Sequence, residues 1–411
     1  MSEPIFILGG AQTDFARNWT REGHTFFDLF ASSVRDGLEN ARMAPIAIEV
    51  AHVGNFVGEL FTGQGMLGGF LGHVDPRLAG VPATRHEGAC ASGSLAILAA
   101  MADLEAGRYE TALVTGIELM RNVSGHTAAA HLGAAAWVGQ EATEAEFVWP
   151  ALFSDLAEEY DHRYGLRREH LAALAKKNFS NARANPNAQT RDWTLTPEHF
   201  SESEDLNPVI EGWMRRHDCS QISDGACTLV LANERRAREW VASNGTSLEA
   251  LPRIRGWGHT TAPMRMDTKL KASAGQTYAL PWTRKAITDA YARAGVCGPE
   301  QLSAVETHDC FTITEYAAIE HFGITAPGEA WKAIEEGRVE RDGDIPINPG
   351  GGLMGIGHPV GATGVRMMLD AARQVSGEAG ALQLDNAHTI AMFNVGGSGA
   401  TNCAFVIGSG A

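Results

Sequence analysis

The sequence predicts an α/β protein built from two similarly wound halves packed together, with a mostly helical segment inserted in the first. Three observations point there. Short apolar runs alternate with helix-length segments along most of the 411 residues. The stretch from Leu95 to Leu104 is apolar nearly all round, so it belongs between layers and not on a surface. The run of small residues, buried helix and strands that closes the first half returns near the C-terminus, as a duplicated unit would.

Ile5-Phe6-Ile7-Leu8 reads as a short buried strand, and the amphipathic stretch from Phe26 toward Leu38 as the helix behind it. Val50-Ala51-His52-Val53-Gly54 and Thr111 to Gly116 read as further strands. From Ala128 to about Asn207 the alternation gives way to aromatic, charged and Pro/Asn-rich stretches such as Asn181 to Trp193, which predicts a helical excursion. Order returns with a strand over Asp224 to Leu231, a helix over Glu234 to Ser243 and an extended run over Arg253 to Trp257. The second half repeats the rhythm: helix over Trp282 to Ala294, strand over Ala304 to Thr307, helix over Phe311 to Phe322. A Gly-rich loop from Asn348 to Gly361 then precedes a helix from about Thr363 to Val375. Two strands, Ile390 to Phe393 and Cys403 to Ile407, close the chain. The expected division is 1–124 and 208–250 for the first half, 125–207 for the insertion and 251–411 for the second half.

Composition excludes several classes of protein. With 44% hydrophobic residues the chain can bury a large core, yet no apolar run reaches the roughly 20 residues that span a bilayer. A formal charge of −16 opposes a broad nucleic-acid surface. A local basic patch for a phosphate-bearing small molecule remains open, with Arg163, Arg167, Arg168, Lys176, Lys177, Arg215 and Arg216 as candidates, each of which also fits a solvated helix face. Cys90, Cys219, Cys227, Cys297, Cys310 and Cys403 form no C-x-x-C pair, so neither a zinc site nor a disulfide framework is signalled. Met1 to Ile5 lacks a secretory pattern, and Gly408 to Ala411 is no peroxisomal address; the expected location is the cytoplasm.

Four loops carry the chemistry, each where a strand or loop gives way to a helix or turn. In Glu87-Gly88-Ala89-Cys90-Ala91-Ser92-Gly93-Ser94 the cysteine sits where an extended approach turns into the apolar helix. Unpaired N–H groups and the helix dipole there favour a thiolate, and the small neighbours let a substrate approach. A buried Cys acting as a small hydrophobe is the other reading. In His308-Asp309-Cys310-Phe311, His308 and Cys310 share a face of an extended strand end with Asp309 opposite, which suits proton transfer or a core Cys beside a satisfied His. Gly357-His358-Pro359 holds an imidazole at a loop end fixed by the proline. Asn394-Val395-Gly396-Gly397-Ser398-Gly399 offers N–H groups for an oxyanion, or a simple hairpin turn. Gly350 to Gly355 spells G-x-G-x-x-G, but no strong strand precedes it, so a dinucleotide site is not expected.

Taken together these loops, with Gly116-Ile117-Glu118-Leu119-Met120 and Ser220-Gln221-Ile222-Ser223-Asp224-Gly225-Ala226, resemble the thiolase superfamily over nearly the whole chain. The resemblance implies two β-α-β-α-β-α-β-β halves in a layered αβαβα arrangement with an inserted loop domain, assembled as a homodimer or homotetramer. His308-Asp309-Cys310-Phe311 with Asn394-Val395-Gly396, in place of an Asn-Glu loop and a C-terminal Cys-x-Gly, is similar to the sterol-carrier-protein-type thiolases. On that likeness Cys90 is the nucleophile, His358 its base, Cys310 the acid and His308 a donor to the enolate. The backbone N–H groups of Cys90 and Gly396 form the oxyanion hole, supported by Asn394 and Gly397, while Cys403 belongs to the core. The implied reaction is cleavage of 3-oxoacyl-CoA by coenzyme A, or its reverse, in lipid metabolism such as fatty acid degradation. Coenzyme A is a co-substrate, with no permanently bound cofactor and no metal. The alternatives are a lyase working with a small acyl-CoA-binding partner protein, and a non-catalytic protein of the same fold.

Overall fold

A computed structural model describes residues 3–409. Met1, Ser2, Gly410 and Ala411, on which the targeting expectation partly rests, lie outside them. Among the described residues no helix is long and apolar enough to cross a membrane.

The first half opens with β1 (Ile5–Gln12) and α1 (Phe26–Asn40). Thr25 starts α1 through a reciprocal capping box with Asp28, and the helix lays an apolar stripe against the sheet. There follow β2 (Val50–Gly54), α2 (Gly58–Thr62), α3 (Leu71–Val74), β3 (Ala83–His86), α4 (Ser92–Glu105) and β4 (Thr111–Glu118). The helical excursion is α5 (Gly125–Leu132), α6 (Val148–Tyr164) and α7 (Arg168–Ala182), followed by a small hairpin of β5 (Val209–Glu211) and β6 (Met214–Arg215). Strand β7 (Gly225–Asn233) and α8 (Glu234–Asn244), capped by Asn233 and ended by Gly245, complete the half.

The second half repeats the order: β8 (Pro252–Thr261), α9 (Met266–Ala272), α10 (Pro281–Ala294), β9 (Ala304–Thr307), α11 (Thr312–His321), α12 (Ala330–Glu335), α13 (Gly352–Ile356), α14 (Val360–Ser376), β10 (Thr389–Gly396) and β11 (Thr401–Ser409). Two expectations need correction. The Gly-rich stretch is not all loop: Gly351 and Gly352 turn it, and Asp309 accepts hydrogen bonds from the Leu353 and Met354 N–H groups, which stabilises the short α13. Helix α14 begins at Val360, directly after Pro359 and not near Thr363, so His358 stands at the foot of a helix.

The strands form one mixed sheet in the order β3-β2-β4-β7-β1-β8-β11-β10-β9. Within it the duplication is explicit. In the first half β2 runs parallel to β3 and β4, β4 antiparallel to β7, and β7 antiparallel to β1. In the second, β9 runs parallel to β10, β10 antiparallel to β11 and β11 antiparallel to β8; an Ile347–Val305 bridge stands where the outermost strand would be. The halves join through Ile5 and Phe6 of β1 against Ile254 and Arg253 of β8.

Strand alternation separates two cores. Phe6, Leu8, Val53, Leu113 and Val230 face α1 and α8, whereas Ile5, Ile7, Val50, Val114 and Leu229 face inward to α4 and α14. Helix α14 packs on β4 and β7 of one half and on β10 and β11 of the other. Its length is buried almost all round because it is sandwiched, and α4 beside it needs its apolar circumference for the same reason. These two helices bring the loops that precede them, bearing His358 and Cys90, to the seam between the halves.

Candidate active site

Cys90 lies in a single 3-10 turn, Ala89–Ala91, between β3 and α4. Ala89 adopts the left-handed conformation, φ 51°, and turns the chain sharply. Ser92 holds the turn, accepting from Gly88 N–H at 3.0 Å and donating to the Ala89 carbonyl at 2.6 Å. The sulfur reaches an apolar cavity of about 300 Å³ that Cys310, His358 and Gly397 also line. Its outer wall comes from α5, α6 and the segment 210–222, including Leu132, Trp149, Phe153 and Ile222. Phe153 stacks on Phe311 beside Cys310, with ring centroids 4.6 Å apart.

Two influences oppose at the Cys90 sulfur. Burial pushes its thiol up to about 12, although hydrogen bonds from the Gly397 and Cys90 N–H groups pull the other way. Desolvation outweighs these donors and favours the thiol, against the thiolate expected from the helix end. The N–H group facing the sulfur is that of Gly397, one residue beyond Gly396. Gly396 has a different job: a Cβ there would sit 2.0 Å from the Gly88 carbonyl oxygen, so glycine is what lets β10 approach the cysteine turn.

His308, His358 and Cys90 converge, each offering one ligand-type atom within 4.8 Å of the others. The two imidazoles meet edge to face, centroids 5.1 Å apart. Both Nε2 atoms are buried with no hydrogen-bond partner among the described residues. Their tautomers follow from what holds the Nδ1 atoms. Thr363 Oγ1 donates to the Pro359 carbonyl at 3.1 Å, so at 2.8 Å it accepts from His358 Nδ1–H, leaving a lone pair on His358 Nε2. Asn394 Nδ2 donates to the Cys90 carbonyl at 3.2 Å and to His308 Nδ1 at 2.9 Å, so the His308 proton sits on Nε2. One imidazole can take a proton; the other can donate a hydrogen bond. Burial pulls His358 down to about 3, aided by the charge of Arg366, and pulls His308 well below its ordinary value, so both rest neutral.

Strand β9 ends at Thr307, so His308 and Cys310 lie on the loop before α11 and not on an extended strand end; Cys310 is buried there, and its thiol is pushed well up by burial and by the neighbouring Cys90 and Asp309. Asp309 turns the other way, to Leu353, Met354 and Asn178. Cys403 is buried within β11.

Three supports escaped sequence reasoning. Ser223 Oγ accepts from His358 N–H at 2.8 Å, and Ser220 N–H donates to the Cys310 carbonyl at 2.8 Å, so one strap before β7 fixes both loops. Buried Glu118 accepts from Gly361, Phe56 and Val57 N–H groups and from Asn55, tying the start of α14 to the end of β2. Cys219 also lines the cavity, a third thiol beside Cys310. The Ser220–Ala226 and Gly116–Met120 stretches were the only sequence signal for the first two. Among the basic candidates, Arg163, Arg167, Arg168, Lys177 and Arg215 are held in ion pairs. Arg216 is exposed, lines the cavity and has no salt-bridge partner among the described residues.

Duplicated α/β halves with a cysteine–histidine cluster at the carboxyl ends of their strands define a protein class with a buried thiol site. The chain belongs to the thiolase family: residues 5–209 match the thiolase N-terminal domain and residues 266–409 the thiolase C-terminal domain-like family. It is 31% identical over 400 residues to an acetyl-CoA acetyltransferase of Methanothermobacter thermautotrophicus, covering 97% of each chain. It is 26% identical over 404 residues to sterol carrier protein 2 of Homo sapiens, covering 96% of this chain and 70% of that protein. Its fold is similar to that of an Ltp2-ChsH2(DUF35) aldolase, with TM-score 0.78, 20% identity, and 99% of this chain and 98% of that one covered. For the acetyl-CoA acetyltransferase of Syntrophomonas wolfei the TM-score is 0.71 at 18% identity, with 99% of each chain covered.

Proposed function

We propose that the protein is an acyl-CoA acyltransferase that cleaves 3-oxoacyl-CoA with coenzyme A, or runs the reverse condensation, through an acyl thioester on Cys90. The observation that carries this reading is the convergence on one apolar cavity of two thiols from opposite halves, Cys90 and Cys310, with the imidazoles of His358 and His308 clustered at Cys90. As the Cys90 sulfur attacks the 3-keto carbon, its proton passes to His358 Nε2. The resulting oxyanion accepts from the Gly397 and Cys90 N–H groups. Breaking the C2–C3 bond leaves its electron pair on C2 as a thioester enolate, whose oxygen accepts from His308 Nε2–H and from the newly protonated His358. Cys310 then gives its proton to C2. Coenzyme A loses its thiol proton to the Cys310 thiolate and attacks the acyl-Cys90 thioester; Cys90 recovers its proton from His358.

Arg216, at the cavity and without an ion-pair partner among the described residues, is the basic residue best placed to meet a phosphate-bearing substrate. The cavity walls drawn from 125–153, inside the inserted segment, and from 210–222, just beyond it, support assigning acyl recognition to the insertion together with the strap that follows it. A lyase would instead break the C2–C3 bond of a 3-hydroxyacyl-CoA, the hydroxyl losing its proton and C3 leaving as an aldehyde or ketone, with no need of free coenzyme A. Consumption of 3-oxobutanoyl-CoA with and without added coenzyme A, run beside a 3-hydroxyacyl-CoA without it, separates the two: the acyltransferase reading expects turnover only of the 3-oxo substrate and only with coenzyme A. Sustained cleavage of the 3-hydroxyacyl-CoA to a free carbonyl product, with none of the 3-oxo substrate, overturns that reading in favour of a lyase.

A further inference from the structure

We infer that Asn394 is a positioning residue that locks the tautomer of His308, and that the same lock keeps the Cys90–His308–His358 cluster from closing on a metal ion. The first part deepens the function proposed above, while the second stands on geometry alone. The cluster has the makings of a metal site. One sulfur and two imidazole nitrogens lie within 4.8 Å of one another, and both Nε2 atoms are buried and unpartnered among the described residues. Zinc-like ions hold such atoms tetrahedrally at about 2.0–2.3 Å, which places neighbouring ligand atoms roughly 3.4–3.7 Å apart. Small side-chain rotations would close that difference.

What opposes closure is the amide. A metal needs the lone pair of His308 Nε2, so the ring proton would have to move to Nδ1. There it would meet the Asn394 Nδ2–H at 2.9 Å, donor against donor. The amide cannot turn over to accept it. Its Oδ1 receives the Ser94 hydroxyl proton at 2.7 Å, and a flip would set that oxygen against the Cys90 carbonyl, which only accepts. Gly364 of α14 makes room for this pair: a Cβ there would lie 2.4 Å from Ser94 Oγ and 2.7 Å from Asn394 Oδ1, so the fully buried amide keeps its bond to Ser94 only beside a glycine. His358 carries the tautomer that a metal requires, so the block rests on His308.

Asn394→Asp inverts the arrangement at His308, at the cost of setting the same carboxylate oxygen against the Cys90 carbonyl. The carboxylate accepts from His308 Nδ1–H, leaves the lone pair on Nε2, and supplies the carboxylate–histidine pairing that typically strengthens a metal ligand. On closure in this variant only Cys90 has a proton to lose, to solvent. Asn394→Ala removes the block without adding an acceptor.

Cobalt(II) titration of the full-length protein reads this directly, through a thiolate-to-cobalt charge-transfer band and the d–d bands of a tetrahedral ion. The expected result is tighter binding than wild type by at least about tenfold in Asn394→Asp, a smaller gain in Asn394→Ala, and loss of the signal when His308→Ala is added. In parallel, nitrogen-15 histidine spectra of the wild-type protein should show His308 protonated at Nε2. Wild-type binding of cobalt as tight as the variants', a folded Asn394→Asp that binds none, or a His308 protonated at Nδ1 would each overturn the inference. None of these readings depends on acyl transfer, so their failure and that of the proposed function are separable.

Discussion

At the scale of single residues, the distinction between the two histidines does the chemical sorting. Thr363 makes His358 an acceptor, whereas Asn394 makes His308 a donor. Thr363→Val keeps the shape but leaves the His358 Nδ1–H buried without a partner, at a cost of about 1–3 kcal/mol. The expected outcome is a fall in kcat of roughly 10–100-fold with KM little changed; steady-state kinetics with 3-oxobutanoyl-CoA check it, and an unchanged kcat would show that the tautomer is not held there. The residues themselves were legible in the sequence, because Cys90, His308, Cys310 and His358 each sit in a short contiguous motif. Their protonation was not. The helix end argued for a thiolate at Cys90, but the walls that desolvate the sulfur come from distant segments around Phe56, Met120 and Trp149. The Gly397 N–H that reaches the sulfur was likewise not singled out by the sequence, because the glycine-rich turn offers several N–H groups and only the folded turn selects among them.

At the scale of elements, helix starts and strand ends are joined by buried carboxylates. Glu118, at the end of β4, receives the first N–H groups of α14 and of the turn after β2, and burial raises its carboxyl to about 7. Between its ordinary value of 4.5 and about 7, the folded protein binds a proton that the unfolded chain has released. Glu118 therefore lowers stability as pH rises through that window, by about 3 kcal/mol in all, and contributes no further slope above it. Glu118→Gln does not titrate. Its destabilisation relative to wild type should shrink as pH is raised from 4.5 to 7, measured by chemical denaturation at fixed temperature; a constant difference across the window would contradict the account. The elements were mostly legible, since strand alternation and the apolar circumference of the Leu95–Leu104 helix are local signals. The starts of α13 and α14 were not, because Asp309 and Glu118 stabilise them from other parts of the chain.

At the scale of the whole molecule, the site exists only where the halves meet. Cys90 comes from the first half, while His308, Cys310 and His358 come from the second, and α14 lies between the sheet segments of both. Gly396→Ala would press a methyl group into the Gly88 carbonyl and displace the cysteine turn from β10. A loss of about 1–3 kcal/mol in stability and a fall in kcat larger than any change in KM are expected, by denaturation and kinetics; retention of both would mean that the seam tolerates displacement. The duplication was legible as rhythm, but the register joining Ile5 to Ile254 and the strap from Ser220 to Ser223 depend on three-dimensional closure.

The central claim is a division of labour between two sulfurs, one carrying the acyl group and the other the proton. Intact-protein and peptide mass spectrometry of Cys310→Ala mixed with 3-oxobutanoyl-CoA tests it most directly. The account predicts an acetyl adduct on Cys90 that added coenzyme A removes, with overall turnover reduced by about 10²–10⁴. An adduct on another cysteine, or no adduct while cleavage continues at the wild-type rate, would contradict it.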